Sequence, residues 1–240
     1  MNLIFDFGNS LTKYFFIQDD KVIDRGSFIS NKVDDNMLAI KNKRSIEKLI
    51  YSSVVDDKRD ELSSIFKNSK IISLRDKTIK LPFTNEYKSE TLGDDRVALV
   101  SAGLSLYPNK DLLIIDIGTC ITYDIVTMNK KYLGGSISPG FNLRYSSLSD
   151  RTSNLPKLEF KIPKSLIGDS TEEHIHAGIY YGIIGEISYN IERQKVRFPN
   201  IEIIVSGGGS NFLPNKVKNV IFADQDFLAH GLNHILQTNS

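Results

Sequence analysis

Asp6-Phe7-Gly8-Asn9-Ser10-Leu11-Thr12-Lys13 returns in altered form as Asp116-Ile117-Gly118-Thr119-Cys120-Ile121-Thr122. Asp6 aligns with Asp116, Gly8 with Gly118 and Thr12 with Thr122, each pair 110 positions apart. Each copy follows an apolar run, Leu3-Ile4-Phe5 in the first and Leu112-Leu113-Ile114-Ile115 in the second. A carboxylate closing a buried strand, a glycine-containing turn and a hydroxyl-bearing return strand suit the holding of phosphate and a cation. One Asp-x-Gly near a strand end usually marks a turn and nothing more. Two in matching hairpins, each with a threonine downstream, favour function. Facing each other, such hairpins would clamp a nucleoside triphosphate.

The remainder of the chain can carry such a fold. Its 240 residues allow one large domain or two moderate ones. Hydrophobic residues make up 40% and charged residues 25%, enough for a buried core under an ordinary polar surface. A net charge of +1 offers no broad basic face for nucleic acid or an acidic membrane. Cys120 is the single cysteine, which excludes an intrachain disulfide and fits a reducing compartment. Asp6 interrupts the apolar start and no basic segment precedes it, unlike a secretory leader. No stretch approaches the roughly 20 apolar residues of a membrane helix. The expected location is the cytoplasm, with no nucleic-acid or membrane partner.

Periodicity and turn residues lay out two halves, residues 1–107 and 108–240, meeting at Pro108-Asn109-Lys110. The first opens with a hairpin over 2–18, a polar turn at Asp19-Asp20-Lys21 and a third strand over 22–29. Helices are expected over 34–48 and 57–67, and strands over 49–55 and 70–74. Residues 81–92 read as loop, and 97–106 as a helix with Asp95 and Arg96 at its N-terminus. The second half repeats the opening order, with strands over 112–128 and 132–137. A helix over 144–150, an extended stretch over 154–164 and a long helix over 170–191 follow. Ser170 or Thr171 can cap that last helix, with Glu172 and Glu173 in its first turn. Gly178, Gly182 and Gly185 leave one side of it thin enough for a close neighbour. A buried strand over 201–205 runs into Ser206-Gly207-Gly208-Gly209-Ser210, and a final helix starts near Gln225. Hairpins followed by alternating helices and strands indicate an α/β class, with mixed sheets flanked by helices.

Asp6 and Asp116 are candidate cation holders, directly or through water. Backbone N–H groups after Gly8 and Gly118 can reach phosphates, and Asn9, Ser10, Thr12 and Thr119 add short polar side chains. Lys13 can set a positive charge beside the terminal phosphate; its plain alternative is a solvated strand-end lysine. In Gly93-Asp94-Asp95-Arg96, one carboxylate can take the proton of an attacking hydroxyl while Arg96 holds an anionic group. Taken alone, the same residues make an ordinary helix start. The run at 207–209 lets backbone approach a ring or ribose, and without a Gly-Lys-Ser/Thr ending it is no P-loop. Gly134-Gly135-Ser136-Ile137-Ser138-Pro139-Gly140 reads as a tight bend, with backbone near substrate as the functional alternative. His174 and His176 diverge on a helix, and His230 and His234 share a face with no third ligand at zinc spacing. Cys120 reads as a packed residue.

In their order and spacing these motifs resemble type III pantothenate kinase. The likeness rests on Asp6 to Lys13, Gly93 to Arg96, Asp116 to Asp124 and Gly134 to Gly140, and it covers the chain from Asp6 to the glycine run at 207–209. Each Asp-x-Gly hairpin is shared across actin-like ATPases; the Gly-x-Asp-Arg element between two of them is far more specific. The resemblance implies a duplicated actin-like ATPase fold, related to ribonuclease H, with ATP in the cleft between two halves. It implies ATP-dependent phosphorylation of pantothenate, magnesium on the phosphates, and a monovalent cation, potassium or ammonium. It further implies a homodimer in which the partner completes the substrate site.

By motif match, Asp95 is the proton acceptor. Gly93, Asp94, Asp95 and Arg96 line the pantothenate site with Tyr87, and Thr171 reaches it across the dimer interface. Asp6, Phe7, Gly8, Asn9, Ser10, Leu11, Thr12 and Lys13 hold the ATP phosphates with Thr119. Asp116 binds the potassium ion. Asp6, with Asp124 as an additional candidate, would hold magnesium through water. Cys120 stands where the family often has alanine, and the run at 207–209 is richer in glycine than the family's adenine-side motif. The rivals are a kinase for a sugar or short acid on the same scaffold, a non-catalytic actin-type nucleotide binder, and a regulatory pseudo-enzyme. The occupied acidic and basic positions disfavour the last two.

Overall fold

The computed structural model describes residues 1–8, 11–30, 33–54, 56–86, 92–213, 217 and 220–240. They divide into two compact units. Unit 1 holds Met1–Pro108, Lys130–Tyr132 and Asp226–Ser240; unit 2 holds Asn109–Asn129 and Leu133–Gln225.

Unit 1 is built on five strands: β1 (Asn2–Phe7), β2 (Leu11–Gln18), β3 (Lys21–Ile29), β4 (Lys48–Ser53) and β5 (Lys70–Ser73). Their order is β3-β2-β1-β4-β5. The hairpins β1–β2 and β2–β3 are antiparallel, and β1–β4 and β4–β5 are parallel. Successive side chains on a strand alternate between faces, and in β1 and β4 both phases are apolar because both faces are covered. Leu3, Phe5, Phe7, Leu49 and Tyr51 pack with α1 (Val33–Lys41) and α2 (Arg59–Ile65) through Met37, Ile40, Leu62 and Ile65. The other phase carries Asn2, Ile4 and Asp6 to the side of α3 (Asp94–Leu106) and α6 (Phe227–Thr238). Asn2 Nδ2 donates to Asn233 Oδ1 of α6 at 2.8 Å, which fixes that assignment. α3 and α6 pack tightly: a Cβ at Gly231 would stand 1.8 Å from the Ala98 carbonyl oxygen. A short strand, β6 (Thr84–Asn85), lies in the stretch expected to be loop and pairs with Lys131 and Tyr132.

In unit 2 the strands β7 (Leu112–Ile117), β8 (Cys120–Val126), β10 (Glu202–Ser206) and β11 (Ile221–Phe222) follow the order β11-β10-β7-β8. β9 (Lys131–Pro139) lies beyond β8; it begins in unit 1 and continues into unit 2. Leu113, Ile115 and Ile117 pack with α4 (Phe141–Arg151) and α5 (Thr171–Arg197) through Phe141, Tyr145, Ile175, Ile179 and Ile183. Ser170 caps α5, its hydroxyl accepting the Glu173 N–H at 3.3 Å. Residues 154–164 form no helix or strand, as the two prolines there lead one to expect. The glycine run after β10 opens with φ +86° at Gly207, in the left-handed region that favours glycine. It continues as a 3-10 turn over Gly208–Phe212.

Candidate active site

Three strands of unit 1 set a row of polar side chains on the face that α3 and α6 cover. Lys13 of β2 lies opposite Asp6 of β1, and Ser52 of β4 lies beside Asp6. Ser52 Oγ donates to Asp6 Oδ1 at 2.9 Å. Burial pushes the Asp6 carboxyl above the ordinary carboxylate range. Asp95 and Asp94 push it the same way, while the Ser52 hydroxyl and the Lys13 ammonium work against it. A buried carboxyl whose ionisation two neighbouring carboxylates also oppose marks a place short of positive charge.

The first turn of α3 supplies two of the three. Gly93 is its N-cap and offers no capping side chain, so the turn is satisfied otherwise. Asp95 Oδ1 accepts the Arg96 N–H at 2.8 Å. A Cβ at Gly93 would stand 2.6 Å from that same oxygen. Arg96 Nη2 donates to the Tyr132 hydroxyl at 3.0 Å. Asp94 turns to the end of β4: its Oδ2 accepts the Ser53 N–H at 3.2 Å and lies 3.8 Å from Arg75 Nε. Arg75 Nη2 donates to the Ser53 carbonyl at 2.6 Å.

Within the hairpin, Asp6 and Lys13 share the site face, whereas Phe7 and Thr12 pair on the opposite one. Phe7 is core, stacked on Phe5. Thr12 is fully buried, its hydroxyl 3.2 Å from that of Ser30. Gly8 closes the turn, its N–H donating to the Leu11 carbonyl at 3.1 Å, and Ser30 Oγ donates to the Gly8 carbonyl at 2.8 Å. Leu11 is exposed. Asn9, Ser10 and Tyr87 lie outside the described residues.

Unit 2 presents a related row. Asp116 of β7 lies between Ser206 of β10 and Thr122 of β8, on the face away from α5. Thr122 is buried, and its Oγ1 has no hydrogen-bond partner among the described residues. The residue opposite Asp116 is Thr122, and the residue opposite Asp6 is Lys13. The two hairpins therefore match on their outgoing strands and slip by one on the return, because the first turn is a residue longer. Gly118 N–H donates to the Cys120 carbonyl at 2.9 Å, and the exposed Thr119 accepts the Gly140 N–H through its carbonyl at 3.0 Å. A Cβ at Gly207 would stand 2.5 Å from the Ile117 carbonyl oxygen, so bare backbone lets the end of β10 lie against this turn.

Asp124 is fully buried, two residues further along β8 than Thr122. Arg144 of α4 donates through Nε to the Pro139 carbonyl at 2.8 Å and through Nη2 to Glu186 of α5 at 2.5 Å. Burial alone would raise the Glu186 carboxyl; hydrogen bonds from Ser138, Arg144 and Tyr123 outweigh it and hold it below its usual range. Thr171 is exposed at the first position of α5. His176 is buried against the Tyr145 hydroxyl at 2.7 Å, and His174 Nε2 lies 3.0 Å from the Gly168 carbonyl.

Ser52, Ser53 and Arg75 escaped the sequence reading, in which Ser206 figures only as the start of the glycine run. The available signal was faint: Ser52-Ser53 interrupts an apolar strand at its last two positions, and only Ser52 is in register with Asp6.

A family model of type III pantothenate kinase matches residues 2–193. A curated protein of that name from Christiangramia forsetii is 42% identical, over 100% of this chain and 99% of its own. One from Flavobacterium psychrophilum is 38% identical over 99% of each. Among solved structures, a ROK family glucokinase from Streptomyces griseus in complex with glucose and AMPPNP matches with TM-score 0.54 at 10% identity, over 99% of this chain and 98% of that one. The activator of the 2-hydroxyisocaproyl-CoA dehydratase from Clostridium difficile with bound ADPNP matches with TM-score 0.53 at 12% identity, over 99% and 94%. The structural matches speak to the fold alone, the actin-like α/β fold that the family resemblance implies. Matched over most of its length by the family model, and end to end by relatives at this identity, the chain belongs to the type III pantothenate kinase family.

Proposed function

We propose that the protein transfers the γ-phosphoryl group of ATP to the primary hydroxyl of pantothenate, the opening step of coenzyme A synthesis. The observation that carries this reading is the meeting of Asp6, Lys13, Asp94 and Asp95 on one face of unit 1. Phosphoryl transfer needs little covalent chemistry from the protein; it needs alignment and charge neutralisation. Asp95 takes the proton of the attacking hydroxyl. Arg96 holds the pantothenate carboxylate, with Gly93, Asp94 and Tyr87 around it. Asp6, Gly8 to Ser10 and Lys13, with Thr119, hold the ATP phosphates, while Phe7 and Thr12 support the hairpin from its buried opposite face, and Lys13 offsets charge on the transferring group.

The crowded carboxylates fit a magnesium ion, with Asp6 its holder directly or through water; bound there, magnesium neutralises the phosphates. The orphaned Thr122 oxygen beside Asp116 fits a monovalent cation, with Ser206 next in the row.

A homodimer completes the site through Thr171 of the second copy. Its support is the bare side of α5, where a Cβ at Gly178 or Gly185 would meet nothing within 4 Å. Ile137, Leu166 and Ile167 add exposed apolar surface in the same unit. No helix among the described residues is long and apolar enough to cross a membrane.

Asp95→Asn tests the assignment. Turnover should fall by about 10²–10⁴-fold, the usual worth of a general base, while calorimetry shows ATP binding retained. Near-wild-type turnover removes Asp95 from the role.

A further inference from the structure

We infer that Arg75 and Asp94 are positioning residues, a charged strut that holds the first turn of α3, and with it Asp95, in register with Asp6. The inference rests on the pantothenate kinase reading and adds a part to it. Ser53 is gripped through both backbone groups, its N–H by Asp94 Oδ2 at 3.2 Å and its carbonyl by Arg75 Nη2 at 2.6 Å. Arg75 Nε closes the triangle, 3.8 Å from the same Asp94 oxygen. Ser53 directly follows Ser52, whose hydroxyl holds Asp6 at 2.9 Å. Asp94 directly precedes Asp95. One short path thus links the acceptor carboxylate to the strand that carries Asp6.

The far end of the strut is anchored as well. Arg75 N–H donates to Ser73 Oγ at 3.2 Å, and Ser73 N–H donates to Asp76 Oδ2 at 3.0 Å. Asp76 in turn pairs with Arg59. The Arg59 N–H donates to Asp57 at 3.3 Å, and Asp57 accepts the Tyr51 hydroxyl. Arg75 is therefore held from β4 and β5, and its neighbour Asp76 is held from the start of α2. The N-cap Gly93 cannot tie α3 to anything, having no side chain, so the carboxylate of Asp94 does that work. On this reading Asp94 meets pantothenate through its backbone, because its side chain is committed to Ser53 and Arg75.

The test measures kcat and both KM values for wild type, Arg75→Met and Asp94→Asn, with circular dichroism on each. Asparagine keeps an acceptor for the Ser53 N–H and removes the charge, so it serves as the milder variant should methionine disturb folding. A strut predicts a kcat loss of about ten- to a hundredfold, the scale of a small misplacement of reacting groups. It also predicts KM values within about threefold of wild type and a double variant no worse than the poorer single one. A raised pantothenate or ATP KM with kcat kept would make Arg75 or Asp94 a ligand and overturn the strut. Unchanged kinetics in Asp94→Asn would overturn it too. If wild type shows no pantothenate-dependent turnover, the underlying functional reading fails instead.

Discussion

Asp6 carries a charge that the ligand-free fold resists. Its folded carboxyl sits above the unfolded value, chiefly through burial, so its contribution to stability is complete below the unfolded pKa and is lost as pH rises through the folded one. Asp6→Asn removes that loss while an acceptor for Ser52 remains. The ligand-free variant should melt a few degrees higher than wild type at pH 7.5, at roughly 2–4 °C per kcal/mol, and the gap should close toward pH 4. Magnesium with ATP should stabilise wild type more than the variant. Thermal melts at both pH values, with and without Mg–ATP, check this; a variant that melts lower at pH 7.5 contradicts it. Gly93→Ala acts beside it: the added methyl displaces the Asp95 carboxylate, so kcat should fall about tenfold or more with circular dichroism unchanged. Asp6 and the Gly93–Arg96 element were legible in the sequence because each is a compact local pattern. Ser52 and Arg75 were not, because only strand register brings Ser52 to Asp6 and only a tertiary turn brings Arg75 to Ser53.

Strand phase decides what each element presents. Even-numbered residues of β1 and β4 meet α3 and α6, which is why Asp6 and Ser52 share a face and Phe7 does not. The hairpins and parallel strands could be read from apolar runs and turn residues. The expected helix over 34–48 stops at Lys41, since Asn42 to Ser45 supply no apolar side chain to bury. α5 runs past the expected end at Ile191 to Arg197: the apolar face ends there, yet Glu192 to Lys195 are good helix formers, and Lys195 and Arg197 complement the dipole. β6, only two residues long, is too short to show a period. Two substitutions probe elements directly. Ser170→Ala removes the cap of α5 and should cost about 1 kcal/mol in chemical denaturation. Gly231→Ala forces a methyl into the Ala98 carbonyl and should cost about 1–3 kcal/mol or more. An unchanged midpoint in Gly231→Ala would mean α3 and α6 are further apart than described.

At the scale of the molecule, the C-terminal helix belongs to the same unit as the N-terminal strands, through contacts such as Asn2 with Asn233 and Lys70 with the Asn239 carbonyl. No local pattern reports such a return. The duplicated hairpins, by contrast, announced two related sheets. What they hid was the single-residue slip that puts Thr122, and not a lysine, opposite Asp116. On the proposed monovalent-cation site, Thr122→Val should raise the potassium concentration for half-maximal turnover several-fold, read from turnover against potassium chloride; an unchanged curve takes Thr122 out of that proposal. The most direct measurement incubates the protein with ATP, magnesium, potassium and pantothenate, following ADP release alongside the mass of the pantothenate. The expected result is one ADP for each pantothenate that gains a phosphate, with little ADP when pantothenate is omitted or replaced by a sugar or short acid. ADP release indifferent to pantothenate, or phosphate appearing on another acceptor instead, would contradict the assigned reaction.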